Sequence, residues 1–180
     1  MKKKKQIEEN KITDSVSYSG SVKLKFCRNN KVLKTTIIKN MGTKLLFNSI
    51  ASILAGYYRT AQVPRFIAVG SKGGQTAIDS TNLNEEITRI YIQDMRWSEY
   101  RETNPDNSNS EYKGSRATFI ATIPYASING IQIREFGLFA DENTNSMLAR
   151  ISIDEGIQLD EGMSFTIEWT ILVQNSTLAN

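Results

Sequence analysis

The chain has 180 residues, of which 39% are hydrophobic and 23% charged, with a formal net charge of +3, so it is long enough for one domain with a proper core. It contains no histidine and a single cysteine, Cys27, which excludes histidine-based triads, imidazole metal sites and an internal disulfide framework. No apolar stretch reaches transmembrane length and no signal-peptide core follows the charged N-terminus, so we expect a chain kept in a cytosol without a membrane partner.

Residues 1–17 are polar and charged and open with four lysines at positions 2–5. We predict that they form a flexible basic arm, and that residues 18–180 form a single domain. Because the lysine run supplies the excess positive charge, the remaining body is near neutral and nucleic acid is not an expected partner.

A hairpin is predicted next, because Val22, Leu24 and Phe26 alternate with polar residues and Asn29-Asn30 suits a tight turn. The second strand covers residues 31–38. The hairpin is basic, and we interpret its charges as a solvated edge rather than a nucleic-acid surface. They are Lys23, Lys25, Arg28, Lys31 and Lys34.

One helix is predicted near residues 41–56, with Asn40 or Thr43 as its cap and Gly56 at its end. Its apolar residues recur at helical spacing, which predicts one buried face that packs on a sheet. They are Leu46, Ile50, Ile53 and Tyr57, with Phe47 and Leu54 on either side.

Residues 64–69 read as a short strand that ends in the glycine-rich residues 70–74, which lack the spacing of a phosphate-binding loop. Residues 83–92 then form a crossing in which Glu86 and Arg89 can make a local, exposed ion pair. Residues 101–115 are rich in Asn, Ser and Asp and predict a long exposed loop. A strand resumes over residues 116–125, with Phe119, Ala121, Ile123 and Tyr125 on one face.

The C-terminal third predicts a meander of three strands over residues 131–139, 147–153 and 163–174, with connectors at residues 140–145 and 154–156. In the last strand apolar residues alternate strictly with polar ones, which indicates one buried and one exposed face. The apolar face carries Phe165, Ile167, Trp169, Ile171 and Val173. The predicted fold is mainly β, an antiparallel β-sandwich with one packed α-helix and long surface loops.

Carboxylates occur as adjacent pairs, Asp141-Glu142, Asp154-Glu155 and Asp160-Glu161. A glycosidase needs two acids facing each other across a groove, and an EF-hand needs a longer ligand spacing. Each pair instead suits a solvated turn. We therefore expect no catalytic, cofactor-binding or metal-binding residues, no cofactor and no enzymatic activity.

Several short motifs occur in an order that resembles virion proteins of tailed bacteriophages, above all β-rich tail, baseplate and tail-collar-fibre N-terminal domains. They are residues 54–56 (LAG), 64–70 (PRFIAVG), 83–89 (LNEEITR), 133–139 (IREFGLF), 147–150 (MLAR) and the strand around Trp169. Composition rich in Lys, Asn and Ile is similar to that of crAss-like and other AT-rich phages. Nothing fibrous follows Val173, which favours a ring, neck or baseplate component over a fibre.

The resemblance implies a structural component of a phage tail, neck ring or baseplate, assembled in the host cytoplasm and located in the virion. Its expected partners are further copies of itself and other virion tail or neck proteins. The alternative is a carbohydrate- or receptor-binding module on the virion surface. That module would use Trp97, Tyr100 or Tyr112 near the long loop.

Overall fold

The computed structural model describes residues 14–103, 110–142 and 145–177. Within these ranges the chain forms nine strands and two helices. In chain order they are β1 (Asp14–Arg28), β2 (Lys31–Gly42), α1 (Lys44–Leu54), β3 (Phe66–Gly70), β4 (Glu86–Tyr91), β5 (Asp94–Thr103), β6 (Ser110–Pro124), α2 (Tyr125–Ile128), β7 (Ile133–Phe139), β8 (Met147–Ile157) and β9 (Met163–Thr177).

The strands form one antiparallel sheet in the order β4-β3-β7-β8-β2-β1-β9-β6-β5. Only Ile92 and Gln93 separate β4 from β5, although these two strands are the opposite ends of the sheet. So short a connection requires the sheet to curl until its ends approach. The Gln93 N–H donates to the Ile120 carbonyl at 2.8 Å, and the Ile92 N–H donates to the Arg65 carbonyl at 2.8 Å. The mainly β, antiparallel fold is therefore confirmed, in the form of a curled half-barrel.

The larger of two apolar clusters of buried residues lies on the concave face of this curled sheet, and the smaller one, which contains Ala68, Leu83, Phe139 and Met147, lies on its other face. Alternate residues of β9 point into the larger cluster, and Phe165, Ile167, Trp169 and Ile171 are buried as their period-two pattern predicts. On the convex face, Thr170 and Thr118 share a hydroxyl hydrogen bond of 3.1 Å across the β9–β6 pair. The predicted register of the last strand is correct.

The first hairpin is also confirmed. Asn29 and Asn30 both have positive φ, 51° and 61°, as a two-residue turn between twisted strands requires. The boundary of the predicted arm is wrong, however, because β1 begins at Asp14 and Asp14–Ser17 pairs with β9. Residues 1–13 lie outside the described residues.

The predicted C-terminal meander is wrong at its last connection. β7 and β8 pair as expected, but β9 leaves β8 and inserts between β1 and β6. Its fifteen residues match the length of both neighbours, and this position pairs all of β9 with β1 and residues 164–174 with β6. β8 also runs on through Asp154, Glu155 and Gly156, which were predicted to form a connector.

The single long helix is confirmed but shorter than predicted. It begins at Lys44 after the cap residue Thr43, because Asn40, Met41 and Gly42 complete β2. Its predicted buried stripe is wrong at the C-terminal end. Leu46 is buried, whereas Leu54 is 84% exposed.

Most of the predicted loop over residues 101–115 belongs to the β5–β6 hairpin, apart from residues 104–109, which lie outside the described residues. In this outer part of the hairpin both faces are polar, so the sequence carries no apolar alternation that would predict the strands. At the other end of β6, Phe119, Ala121 and Ile123 are buried as predicted, while Tyr125 begins the short helix α2.

Candidate functional site

The paired carboxylates lie on the surface and apart from one another along the chain. All six side chains, those of Asp141, Glu142, Asp154, Glu155, Asp160 and Glu161, are exposed. Among the described residues, no group of three or more His, Cys, Asp or Glu is placed to hold a metal ion. The pairs do not assemble into one groove.

The glycine-rich residues 70–74 are anchored to the sheet. The Gly74 N–H donates to Ser152 Oγ on β8 at 2.8 Å, and Asn84 Nδ2 donates to the Gly73 carbonyl at 3.2 Å. A Cβ at Gly70 would lie 2.5 Å from the Glu85 carbonyl oxygen, so glycine is required there by the close approach of two backbones.

A buried ion pair on the two neighbouring strands β7 and β8 holds this end of the molecule together. Arg150 donates from Nη2 to Glu135 Oε2 at 2.6 Å, and both side chains are almost fully buried. Glu135 also accepts the backbone N–H groups of Asn84 and Glu85 at 3.1 and 2.9 Å. Arg150 Nη1 donates to the Gln75 carbonyl at 3.2 Å. The pair therefore fixes two connecting segments on the sheet, which indicates a structural role.

The predicted Glu86–Arg89 ion pair is confirmed. Arg89 Nε and Nη2 donate to the two carboxylate oxygens of Glu86 at 2.9 and 2.7 Å. The pair is less exposed than predicted, since only 9% of the Arg89 side chain is accessible. Its guanidinium lies 3.7 Å above the centre of the Phe139 ring and donates to the Asp141 carbonyl. Arg89 thus joins β4 to the end of β7.

The basic residues of the first hairpin are largely matched by acids. Lys23 and Lys25 both pair with Glu168 on β9, and Arg28 lies 3.5 Å from Asp160. On the concave face, burial raises the pKa of the Tyr18 hydroxyl, while the hydrogen bond from Asn40 Nδ2 opposes that rise. Of the five basic residues of the hairpin, Lys31 and Lys34 make no ion pair with a described residue.

The three aromatic residues proposed for glycan binding do not share one face. Trp97 lies opposite Ala117 and Tyr112 lies opposite Arg101, which places both on the concave side of the β5–β6 pair. Tyr100 points to the other side because successive strand residues alternate. Arg101, which lies opposite Tyr112, is four residue positions along β5 from Trp97, so the two rings are on the order of 13 Å apart along the strand direction.

Two exposed apolar surfaces stand out instead, and the first is on β5. Met95 lies opposite Phe119, and Trp97 opposite Ala117, so their side chains extend the rows of the core. Yet Met95 and Trp97 are 60% and 71% exposed. We call Met95 and Trp97, with the unpaired edge of β5, the β5 surface.

The second surface is on α1 and the segment after it, and we call it the α1 surface. It comprises Phe47, Ile53, Leu54, Tyr57, Tyr58 and Val63, all of which are exposed. Exposed tyrosines are enriched at contact surfaces, and neighbouring apolar residues that are exposed together often mark an interaction site. The sequence did not predict this surface, because apolar residues at helical spacing normally indicate a buried helix face.

The sheet also divides between β2 and β8. These strands pair only at Met41–Arg150 and Gly42–Ala149, and beyond that point they separate. The cleft between them has a volume of about 660 Å³ and is lined on one wall by Leu33 and Ile38 and on the other by Ile153 and Ile157. β2, which forms one side of the cleft, carries lysines at positions 31, 34 and 39.

No protein-family model, curated protein or solved structure matches the chain. Within the described ranges, no helix is long and apolar enough to cross a membrane. The α1 surface and the β5 surface are the candidate functional sites because their apolar side chains are exposed.

Proposed function

We propose that the chain is a structural component of a bacteriophage tail, neck ring or baseplate. In this role it assembles into a symmetric oligomer and contacts neighbouring virion proteins. The observation that supports assembly is the exposure of the α1 surface, where Leu54 and Tyr58 are 84% and 72% exposed, whereas the virion location rests on the resemblance of the sequence motifs alone. Apolar residues exposed together are costly in water unless a partner covers them.

The position of the two surfaces on the sheet supports a ring. α1 packs beside β8, in the middle of the strand order, whereas β5 is the last strand of that order. In a curled sheet whose ends approach, the middle and the end lie about half a circumference apart. A copy with different surfaces on different sides can contact two neighbours at once, which suits closed symmetric assemblies.

We also propose that the curled sheet works as two facing layers, the sandwich expected from sequence. The rings of Phe136 on β7 and Phe165 on β9 meet edge to face at 6.1 Å, which joins the two halves through the core. Such a rigid body suits a building block whose contacts must keep a fixed geometry.

The assembly can be tested by sedimentation velocity and negative-stain microscopy of the purified full chain. We expect a closed oligomer, and we expect the double variant Leu54→Glu, Tyr58→Glu to remain smaller because two buried carboxylates oppose the contact. Lys44→Glu, an exposed change on the same helix, is the matched control. A wild-type chain that stays monomeric at every concentration, and is absent by mass spectrometry from gradient-purified virions, would overturn the proposal.

The alternative function is binding of a surface carbohydrate or receptor. It is supported by Trp97 and Tyr112, two exposed aromatic rings on one face of the β5–β6 hairpin. Glycan-array binding that disappears in Trp97→Ala but persists in the oligomer-deficient α1 variant would favour this alternative.

A further inference from the structure

We propose that two copies of the chain join edge to edge through β5, so that the sheet continues across a two-fold axis. The inference rests on the proposed function as an assembling protein and names one of its contacts. The occupant of the β5 edge is thus a second copy of the same strand, in antiparallel orientation.

The edge of β5 is available for such pairing. β5 is an end strand that pairs with β6 alone, and among the described residues no backbone hydrogen bond joins it to β4 across the gap in the curled sheet. Ten residues of extended backbone therefore present unpaired N–H and C=O groups on one side. An edge of this length is a template for another strand.

The composition of β5 lacks lysine and proline, two of the residues that protect sheet edges. The open edge of β2 carries Lys31, Lys34 and Lys39, whose like charges repel a second copy. β5 has neither lysine nor proline, and its charges alternate in sign, with Arg96 held by Asp94 at 2.7 Å and Arg101 by Glu99 at 2.8 Å. Because three acids are interleaved with two arginines, a second β5 meets both attractive and repulsive charges, and the register decides which of them are opposed.

Charge complementarity selects the register. When two antiparallel copies pair around Tyr100, residues 97–103 of the two strands face one another. Glu99 of each copy then lies opposite Arg101 of the other, and no like charges are opposed within this span, whereas pairing around Trp97 brings no opposite charges together. Pairing around Ser98 would place Asp94 opposite Glu102, and pairing around Glu99 or Arg96 would place a charge opposite itself. Opposite charges directly across two strands are stabilising, and like charges are destabilising.

The same pairing gives Trp97 a neighbour on the concave side of the sheet. Trp97, which is 71% exposed in one copy, lies opposite Thr103 of the other copy in this register. The flanking side chain removes part of the exposed ring from water, which is favourable.

Cysteine cross-linking tests the geometry. In a Cys27→Ser background, Tyr100→Cys should form a disulfide-linked dimer under mild oxidation, because a residue on the two-fold axis pairs with itself at disulfide distance. Ile37→Cys is the matched control, since it is exposed on the lysine-bearing β2 edge and should stay monomeric. Cross-linking at position 37 as readily as at position 100 would overturn the proposal, and cross-linking at Trp97→Cys alone would overturn the register.

Charge exchange tests the complementarity. Glu99→Arg should weaken dimerisation on the order of tenfold, because it replaces two attractive pairs by two repulsive ones, and the double variant Glu99→Arg, Arg101→Glu should restore it. Sedimentation equilibrium measures the dissociation constant, and thermal melts check that all variants fold. An oligomer that survives through the α1 surface with no effect of these changes would refute β5 pairing and leave the proposed function standing.

Discussion

At the residue scale, Trp169 is the side chain on which the largest stability prediction rests. Its ring is fully buried at the centre of β9, between Val22 on β1 and Phe119 on β6. We predict that Trp169→Ala lowers the free energy of unfolding by about 3–5 kcal/mol, since the cavity left by a large ring cannot be refilled. Chemical denaturation of the purified variant measures the change.

The neighbour Thr170 provides the control for this prediction. Thr170 points to the convex face, where it shares a single hydroxyl hydrogen bond with Thr118. Thr170→Ala should therefore cost only about 1 kcal/mol. If Trp169→Ala and Thr170→Ala lowered the free energy of unfolding equally, the face of β9 that contains Trp169 would not face the core.

Single residues differ in how much of their environment the sequence reveals. Trp169 could be placed because its neighbours alternate, and burial follows directly from that local period. Glu135 and Arg150 could not be placed, since they lie on the face of β7 and β8 opposite the main core and are buried there by connecting segments that are distant in sequence. Trp97 is the opposite case, an aromatic residue at a core-facing position that is nevertheless exposed at the end of the sheet.

At the scale of elements, the Glu135–Arg150 pair joins β7 and β8 to the connecting segments at Gln75 and at Asn84-Glu85. We predict that Glu135→Gln destabilises the fold by roughly 3–5 kcal/mol, because Arg150 is then left as a buried charge without a counter-ion. The double variant Glu135→Gln, Arg150→Met should lose less unfolding free energy than Glu135→Gln alone, since it also removes the buried charge of Arg150. Urea denaturation of the three proteins gives the comparison.

The exposed pair Arg96–Asp94 is the matched control for the buried one. Asp94→Asn should change stability by less than about 1 kcal/mol, as is usual for ion pairs in water. If Glu135→Gln lowered the free energy of unfolding as little as Asp94→Asn, the buried ion pair would not hold the two connecting segments on the sheet in solution.

Elements were predictable where one of their faces is apolar and their pairing is local. The first hairpin met both conditions, with alternating residues and an Asn-Asn turn. The outer part of the β5–β6 hairpin met only the second condition, because both of its faces are polar, and its sequence therefore predicts a loop. β9 met only the first condition, an apolar face. Its partners β1 and β6 are distant in sequence, so no local pattern predicts the pairing.

At the scale of the whole molecule, a two-residue connection between the end strands determines the shape. Ile92 and Gln93 bring β4 and β5 near each other, while β1, β6 and β9 are far longer than β3 and β4. The long strands therefore extend past the short ones, and the inner side of β5 is left without a cover. The exposed β5 surface follows from unequal strand lengths, which neither composition nor periodicity reveals.

The last prediction concerns residues 1–13, which precede the first residue of β1. Every observed pair between β1 and β9 starts at Asp14 or later, so deletion of residues 1–13 removes none of them. We predict that the deleted chain unfolds at the same temperature as the full chain but assembles less well, because a charged segment can bind a neighbouring copy. Calorimetry measures the first effect and sedimentation velocity the second.

Deletion of residues 1–19 is the control, because it crosses into the sheet. It removes the pairs from Asp14 to Ser19, and also the Tyr18 ring, which meets Phe47 of α1 edge to face at 5.5 Å. This chain should melt at a clearly lower temperature, since it loses both β1–β9 hydrogen bonds and a contact that holds α1 on the sheet. If the shorter deletion already abolished cooperative unfolding, residues 1–13 would belong to the folded domain. If neither assembly nor stability changed, the segment would have no part in the contact between copies, and assembly would depend on the α1 and β5 surfaces alone.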